Sequence, residues 1–369
     1  MDPRQRLLAT IRGEAHDRVP LMLAGFLHRD REGIDAVADE GRRQIAGRVF
    51  EHTHYWVPCY TMVNRWLVTP GQFIRQVSSV ERDGGVEITR QIDTPAGSLT
   101  AILGRDGTSD TWWTKKYPCE SLADIEKIRS VPWELPAGIG PPDVSALPDG
   151  ARRRGVVRAS VSSPFVCVAG MMPYGYFLEL CATHFELIRE LTAECQRRIL
   201  GVLDAVLPGG TVEYVWMGGC EWLTPPMGSP RLYEQLVHVF ERPIIERIHA
   251  AGAVAHVHCH GNVRSTLETV IERGGDFFEP VEPPPDGDIT MAEAKAVAAG
   301  RIALGGNVEA RVLENEDAEA VEAAARAAFE GGRERMVFQT TAGPIGPVTP
   351  RMRENYHRMI DVWEELSPL

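Results

Sequence analysis

A chain of 369 residues, 44% hydrophobic and 24% charged, has the composition of a globular protein with enough apolar material for a large core. A net charge of −12 with no Lys/Arg run excludes a general nucleic-acid surface, so no nucleic-acid partner is expected. No stretch reads as a membrane span, the opening MDPRQRLLATIRGEAHDRVP lacks the apolar centre of a signal peptide, and seven scattered cysteines without CxxC spacing do not suggest a disulfide framework. The expectation is a cytoplasmic, thiol-reduced protein that acts on small molecules.

Asp2 and Pro3 read as the cap and first position of a helix whose apolar stripe is Leu7, Leu8 and Ile11, with Gly13 ending it. Eight short apolar runs then read as strands: 19–25, 53–60, 155–163, 212–219, 253–260, 276–282, 301–307 and 336–343. Between them, 177–206 is long and amphipathic, 229–252 starts with Ser-Pro and ends in Gly, and 316–332 is rich in alanine, all helical signals. Strands alternating with helices predict an α/β protein, a single (β/α)8 TIM-type barrel over 1–369 with an N-terminal helical segment. An open doubly wound sheet would show similar alternation. Residues 74–115 break the pattern; VEITRQIDTPAGSLTAIL, with Thr-Pro-Ala-Gly as its turn, predicts an inserted β-hairpin. The stretch from Pro132 to Pro148 reads as the linker back to the barrel, and PVEPPPDG (280–287) as a rigid loop.

Reactive groups of a (β/α)8 barrel gather at the C-terminal ends of its strands. By that rule the candidates are Glu221 after the fourth strand, His258 and His260 at the fifth, and Glu279 and Glu282 at the sixth. Asn307 and Glu309 follow the seventh strand, and Thr340 and Thr341 close the eighth. In AHVHCHGNV (255–263) alternation puts His256, His258 and His260 on one face and turns Cys259 to the other. Neutral imidazoles bind zinc and similar divalent ions, so His258 and His260 are candidate metal ligands, with Glu221 as a third that leaves positions open for substrate. His256, deeper in the strand, reads as a packed or supporting group.

Glu221, Glu282 and Asn307 are the candidate catalytic groups, and alternation lets only one of Glu279 and Glu282 face the axis. Plainer roles compete with these: hydrogen-bonded core for the histidines, a turn cap or arginine partner for Glu221. His52 and His54 beside Tyr55 and Trp56 read as pocket or packing residues, packing favoured, and Cys220 as an inert thiol. The polar turn at Thr108–Asp110, before Trp112 and Trp113, fits aromatic packing, and Gly305-Gly306-Asn307 lacks a phosphate fingerprint.

The chain resembles the uroporphyrinogen decarboxylase superfamily. The resemblance rests on RQRLLATIRGEAHDRVPLML, TPAGSLTAIL, the Tyr117–Ile125 segment and SPRLYEQLVHVFERPIIERIHAAGAVAHVHCHGNV. It continues in GGDFFEPVEPPPDGDI, RIALGGNVEARVL and GPVTPRMRENYHRMI. It implies a (β/α)8 barrel. The decarboxylase branch is not matched: AGFLHRDREG lacks the Met-Arg-Gln-Ala-Gly-Arg motif, and the late Gly-His-Gly falls on Thr341, Ala342 and Gly343.

The zinc-dependent methyltransferase branch, which passes methyl groups between corrinoids and thiols or related acceptors, is closer. Its H-x-C-G motif falls on His258-Cys259-His260-Gly261, so its cysteine ligand becomes His260. Its acidic ligand corresponds to Glu221, and its distal cysteine is absent from Thr340–Ala342. The resemblance thus implies methyl transfer, a divalent metal (zinc first), a small-molecule or thiol acceptor, and a corrinoid protein as partner. A His/His/Glu set without thiolates is a stronger Lewis acid, so a metal-dependent lyase, decarboxylase or hydrolase acting on a small carboxylated substrate is the alternative. A non-catalytic barrel that binds a ligand or a corrinoid protein is the third reading.

Overall fold

The computed structural model describes residues 1–62, 66, 70–107 and 111–369. Its strands are β1 Leu21–Met22, β2 Tyr55–Met62, β3 Ile74–Arg82, β4 Gly85–Thr94, β5 Gly97–Arg105 and β6 Trp113–Lys116. They continue with β7 Gly155–Ser162, β8 Tyr214–Gly218, β9 Val254–His258, β10 Phe277–Glu279, β11 Ala303–Val308 and β12 Met336–Thr340. Eight of them form one parallel sheet in the order β1-β12-β11-β10-β9-β8-β7-β2, so each of the eight expected runs carries a barrel strand. That order is a (β/α)8 barrel traced around its wall. Among the described residues no ladder joins β1 to β2, and β1 pairs over two residues only, Leu21 with Phe338 and Met22 with Gln339.

The sheet curls around a shared interior. Val156, Tyr214, Val254, Phe277, Ala303 and Val337, from six different strands, meet in one buried cluster with Leu7, Leu8 and Ile11 of the helix Pro3–Arg12. That helix begins where Asp2 accepts from Gln5 N and ends at Gly13 with φ +73°, as its sequence signals predict. Its apolar stripe lies against the N-terminal ends of the strands and closes that end of the barrel. The opposite end is left for chemistry.

The inserted segment differs from the expected hairpin. It is a four-stranded antiparallel sheet, β3-β4-β5-β6, with two tight turns. Thr94 pairs with Gly97 across Pro95-Ala96, the turn read from the sequence, and Arg82 pairs with Gly85 across Asp83-Gly84. Both Asp83 (φ 50°) and Gly84 (φ 75°) are left-handed, as a type I′ hairpin turn requires. Thr108–Asp110 lie outside the described residues. Trp112 and Trp113 are exposed rather than packed in the sheet.

Helices cover the outer face. The segment 177–206 divides at His184 into Tyr174–Thr183 and Phe185–Val206. Ser229 caps Pro230–Tyr233, which runs on through a π turn at Glu234–His238 into Val239–Ala250, and Gly252 has φ +77°. The alanine-rich stretch is helical over Ala318–Ala328. No helix among the described residues is long and apolar enough to cross a membrane.

Candidate functional site

Strand β9 ends at His258, and the two strands beside it determine what its histidines meet. Register pairs His258 with Gly218 of β8 on one side and Glu279 of β10 on the other. Same-face partners on adjacent strands are side-chain neighbours. Accordingly His258 Nδ1 lies 2.6 Å from Glu279 Oε1. Cys259 N donates to Glu279 O at 2.9 Å, which carries the ladder one step past the strand and places His260 at the mouth. There His260 Nδ1 lies 2.9 Å from Glu282 Oε1, and Gly261 N donates to the other oxygen of Glu282.

The two carboxylates therefore serve one site, which corrects the expectation that only one could. Alternation holds along a strand, and β10 stops at Glu279; Glu282 stands in the following loop and is free of that rule. Both carboxylates are buried, whereas the side chains of His258 and His260 are 20% and 39% exposed. Each imidazole thus has Nδ1 held by a buried carboxylate, and among the described residues no hydrogen bond engages its other nitrogen. The rings stand edge to face with centroids 4.6 Å apart.

Beneath the mouth lies a buried polar layer. Tyr214 Oη is 2.7 Å from His256 Nδ1, and His256 Nε2 is 2.7 Å from Glu279 Oε1. With Tyr214 donating to Nδ1, the His256 proton sits on Nε2, which lies close to the carboxylate without meeting hydrogen-bond geometry. Burial pushes His256 down to about 4, so it stays neutral near pH 7. Gln339 Nε2 donates to Glu279 Oε2 at 2.8 Å. Burial alone would raise Glu279, but the facing His258 and His256 hold it well below the usual carboxylate range. Gly305 makes this arrangement possible, because a Cβ there would stand 2.5 Å from Glu279 Cβ and 2.9 Å from Gln339 Oε1. His256 is therefore a supporting group, as its depth in the strand predicts.

Glu221 stands in the short turn Cys220–Leu223 after β8, and its Oε2 accepts from Gly219 N at 3.1 Å. Among the described residues two groups of three metal-binding side chains bring their donor atoms within 4.8 Å of one another: Cys220, Glu221 and Cys259, and His256, His258 and Glu279. The sequence-predicted trio His258, His260 and Glu221 is not one of them. In the second group Glu279 Oε1 already lies against both imidazoles, hydrogen-bonded to His258 and in close contact with His256. Donors sharing a tetrahedral zinc at about 2.0–2.1 Å stand about 3.3 Å apart, and the 2.6 and 2.7 Å contacts of Glu279 leave no room for an ion. In the first group Cys259 is fully buried on the outer side of the strand, as alternation predicts, and burial pushes its thiol well up. Cys220 donates to His258 O at 3.6 Å, as an inert structural thiol would. The two donors with free nitrogens at the mouth are His258 and His260, and their chemistry suits a borderline divalent ion.

Across the mouth, Asn307 Nδ2 donates to Glu309 Oε1 at 2.7 Å, and Thr341 Oγ1 donates to Glu309 Oε2 at 2.9 Å. Burial first, and then the charge of Glu282, push Glu309 up to about 7. Asn307 Oδ1 and Gln339 Oε1 are buried without a partner. Thr340 Oγ1 bonds Ala342 O and serves the turn. His54 is buried edge-on against Trp56 with centroids 4.3 Å apart, and burial lowers it to about 3; His52 lies 5.4 Å from Trp363. Both pack, as expected. Arg158 of β7, set between Trp56 and Trp216, is a charged residue that motif reasoning passes over. Its signal was a charge inside GVVRASVS, a run otherwise suited to a doubly buried strand.

A parallel barrel with an acidic, histidine-bearing mouth at the C-terminal ends of its strands has the plan of a TIM-barrel enzyme. The family described as Uroporphyrinogen decarboxylase (URO-D) matches residues 117–366, and the chain belongs to it. A solved structure titled methyltransferase from Methanosarcina mazei is similar with a TM-score of 0.60, at 16% identity over 99% of each chain, a likeness of fold. A B12-independent methionine synthase from Shewanella sp. W3-18-1, in complex with selenomethionine, is similar with a TM-score of 0.41 and 10% identity. That likeness covers 59% of this chain and 64% of the other. No curated protein sequence matches the chain.

Proposed function

We propose that the chain is a metal-dependent enzyme acting at the C-terminal mouth of its barrel. A divalent ion, zinc first, would be held by Nε2 of His258, Nε2 of His260 and the carboxylate of Glu221. The reaction proposed is methyl transfer to a small-molecule or thiol acceptor, with a corrinoid carried on a partner protein as donor. One observation carries the reading: each imidazole has Nδ1 held by a buried carboxylate, Glu279 or Glu282, which leaves the nitrogen at the mouth as a lone-pair donor. Ligating histidines are oriented in this way in metal sites, because the second nitrogen then has a fixed tautomer and greater basicity. The methyltransferase-like fold over the full length supports the reaction class.

An ion so held supplies Lewis-acid activation of an acceptor. The chain's own residues do the rest. Glu279 and Glu282 orient the imidazoles, and Glu221 must exchange its bond from Gly219 N for a place beside them. Glu309, near neutrality and held by Asn307 and Thr341, stores or releases a proton at the mouth. The buried, unpartnered Oδ1 of Asn307 is an acceptor for a donor group of the substrate.

The second reading is a metal-dependent lyase or decarboxylase, favoured by the donor set, since imidazoles and carboxylates put less charge on the ion than thiolates do. The deciding experiment incubates the zinc-loaded protein with a methylated corrinoid protein and candidate thiols, and separately with small carboxylic acids while carbon dioxide is collected. Methyl transfer that His258→Ala abolishes supports the first reading. Carbon dioxide release without methyl transfer replaces it with the second. Ligand binding without turnover, unaffected by His258→Ala, makes the chain a binding protein.

A further inference from the structure

The arginines buried outright in this protein have their charge answered. Arg273 pairs with Glu241 at 2.7 Å, Arg198 with Glu194 at 2.6 Å and Arg6 with Asp17 at 2.7 Å. Arg154 donates to the backbone oxygens of Thr53, His28 and Arg29. Arg158, partly exposed inside the barrel, differs. Its Nε donates to Ser160 Oγ at 3.2 Å, and among the described residues no carboxylate lies within ion-pair distance and no protein acceptor takes its Nη atoms.

Two indoles hold the guanidinium instead. Its carbon is 4.8 Å from the Trp56 ring centroid and 5.5 Å from that of Trp216. With the guanidinium carbon over both indoles, its paired Nη donors are the part of the group that can still bind. A guanidinium withdrawn from water without a counter-ion is costly, and burial pushes its pKa down, opposed by Tyr214 and Glu279. Glu279 is already engaged by His258 and Gln339. Trp216 touches both sides: its ring centroid is 5.2 Å from that of His258, so one indole separates the arginine from the candidate metal ligands. A Cβ on Gly218 would stand 2.3 Å from that indole, so the glycine keeps its place open.

We propose that Arg158 anchors a carboxylate of the substrate, a small organic acid whose charged end pairs with the Nη atoms between Trp56 and Trp216 while its reacting end reaches past Trp216 to His258 and His260. The proposal deepens the reading of the mouth as the active site and rests on it, but the anchor itself needs no metal. A monocarboxylate fits better than a phosphate dianion. One fork-shaped cation matches a planar carboxylate in bidentate fashion, and the acidic side chains Glu221, Glu279 and Glu282 around the mouth repel a second negative charge.

The flanking indoles allow a direct test by tryptophan fluorescence. The full-length protein is titrated with glycolate and benzoate, and with glycolamide and benzamide as neutral counterparts. The acids are expected to change the fluorescence saturably and to bind at least tenfold more tightly than the amides. Arg158→Leu removes that preference, and Arg158→Lys keeps part of it. Equal binding of acids and amides, binding of neither, or unchanged acid binding in Arg158→Leu overturns the proposal. If Arg158→Leu does not fold by circular dichroism, Arg158→Lys and the acid–amide comparison in the wild type decide. Titrations of the chelator-treated wild type and of His258→Ala separate the anchor from the metal. Acid binding that persists there supports Arg158, and acid binding lost there assigns the acids to the ion and overturns the anchor. Loss of the metal reading alone leaves these outcomes unchanged.

Discussion

Glu309→Gln perturbs one proton at the barrel mouth and leaves its shape intact. The carboxyl accepts from Asn307 and meets the Thr341 hydroxyl, and a glutamine oxygen and amide reproduce both contacts once Thr341 turns to accept. Glu309 is raised from its ordinary 4.5 to about 7 by burial and by Glu282. Between those values the native state holds a proton that the unfolded chain has released, so wild-type stability falls as pH rises through this window. A rise of that size corresponds to at most about 3 kcal/mol, or about 4 °C in melting temperature for a chain of this length. The variant lacks the proton. Its stability should match the wild type near pH 4.5 and exceed it progressively up to pH 8, by at most that amount. Urea unfolding of both proteins at half-unit pH steps measures the difference. Parallel stability curves from pH 4.5 to 8 would refute the assignment of a neutral carboxyl to Glu309.

Three further expectations rest on other parts of the site and fold. His260 should titrate above its ordinary 6.5, because its bond and charge contact with Glu282 outweigh burial, and Glu282→Gln should bring it down; histidine NMR titration reads this directly. The stability this contact supplies is full below pH 6.5 and lost as pH rises through the native value. Gly305→Ala forces a Cβ to 2.5 Å from Glu279 Cβ, so it should cost about 1–3 kcal/mol in urea unfolding and disturb the His258–Glu279 contact. Ile11→Ala, in the helix that closes the far end, should cost about 2–5 kcal/mol while leaving the mouth unchanged, since Ile11 is fully buried against the strand interiors.

The barrel was legible because its signals are local. Each strand run is apolar and short, the helices between them carry capping residues and terminal glycines, and the N-terminal stripe of Leu7, Leu8 and Ile11 announces a buried face. Thr-Pro-Ala-Gly predicts only one hairpin of the inserted sheet, and the second is carried by the stronger Asp-Gly turn signal of Arg82-Asp83-Gly84-Gly85. At the site, alternation alone placed His256, His258 and His260 on one face and Cys259 on the other. The partners were not legible. That Glu279 meets His258 depends on the register between β9 and β10, and that Glu282 meets His260 depends on where β10 stops. Gln339 and Arg158 come from strands remote in sequence, and their roles exist only once the sheet has curled.

His258 and His260 are the proposed ligands of one ion. The purified protein, stripped with chelator, loaded with zinc and dialysed, should hold one zinc per chain by elemental analysis. His258→Ala and His260→Ala should each lose it while remaining folded. Stoichiometric zinc retained in both variants would contradict ligation by His258 and His260.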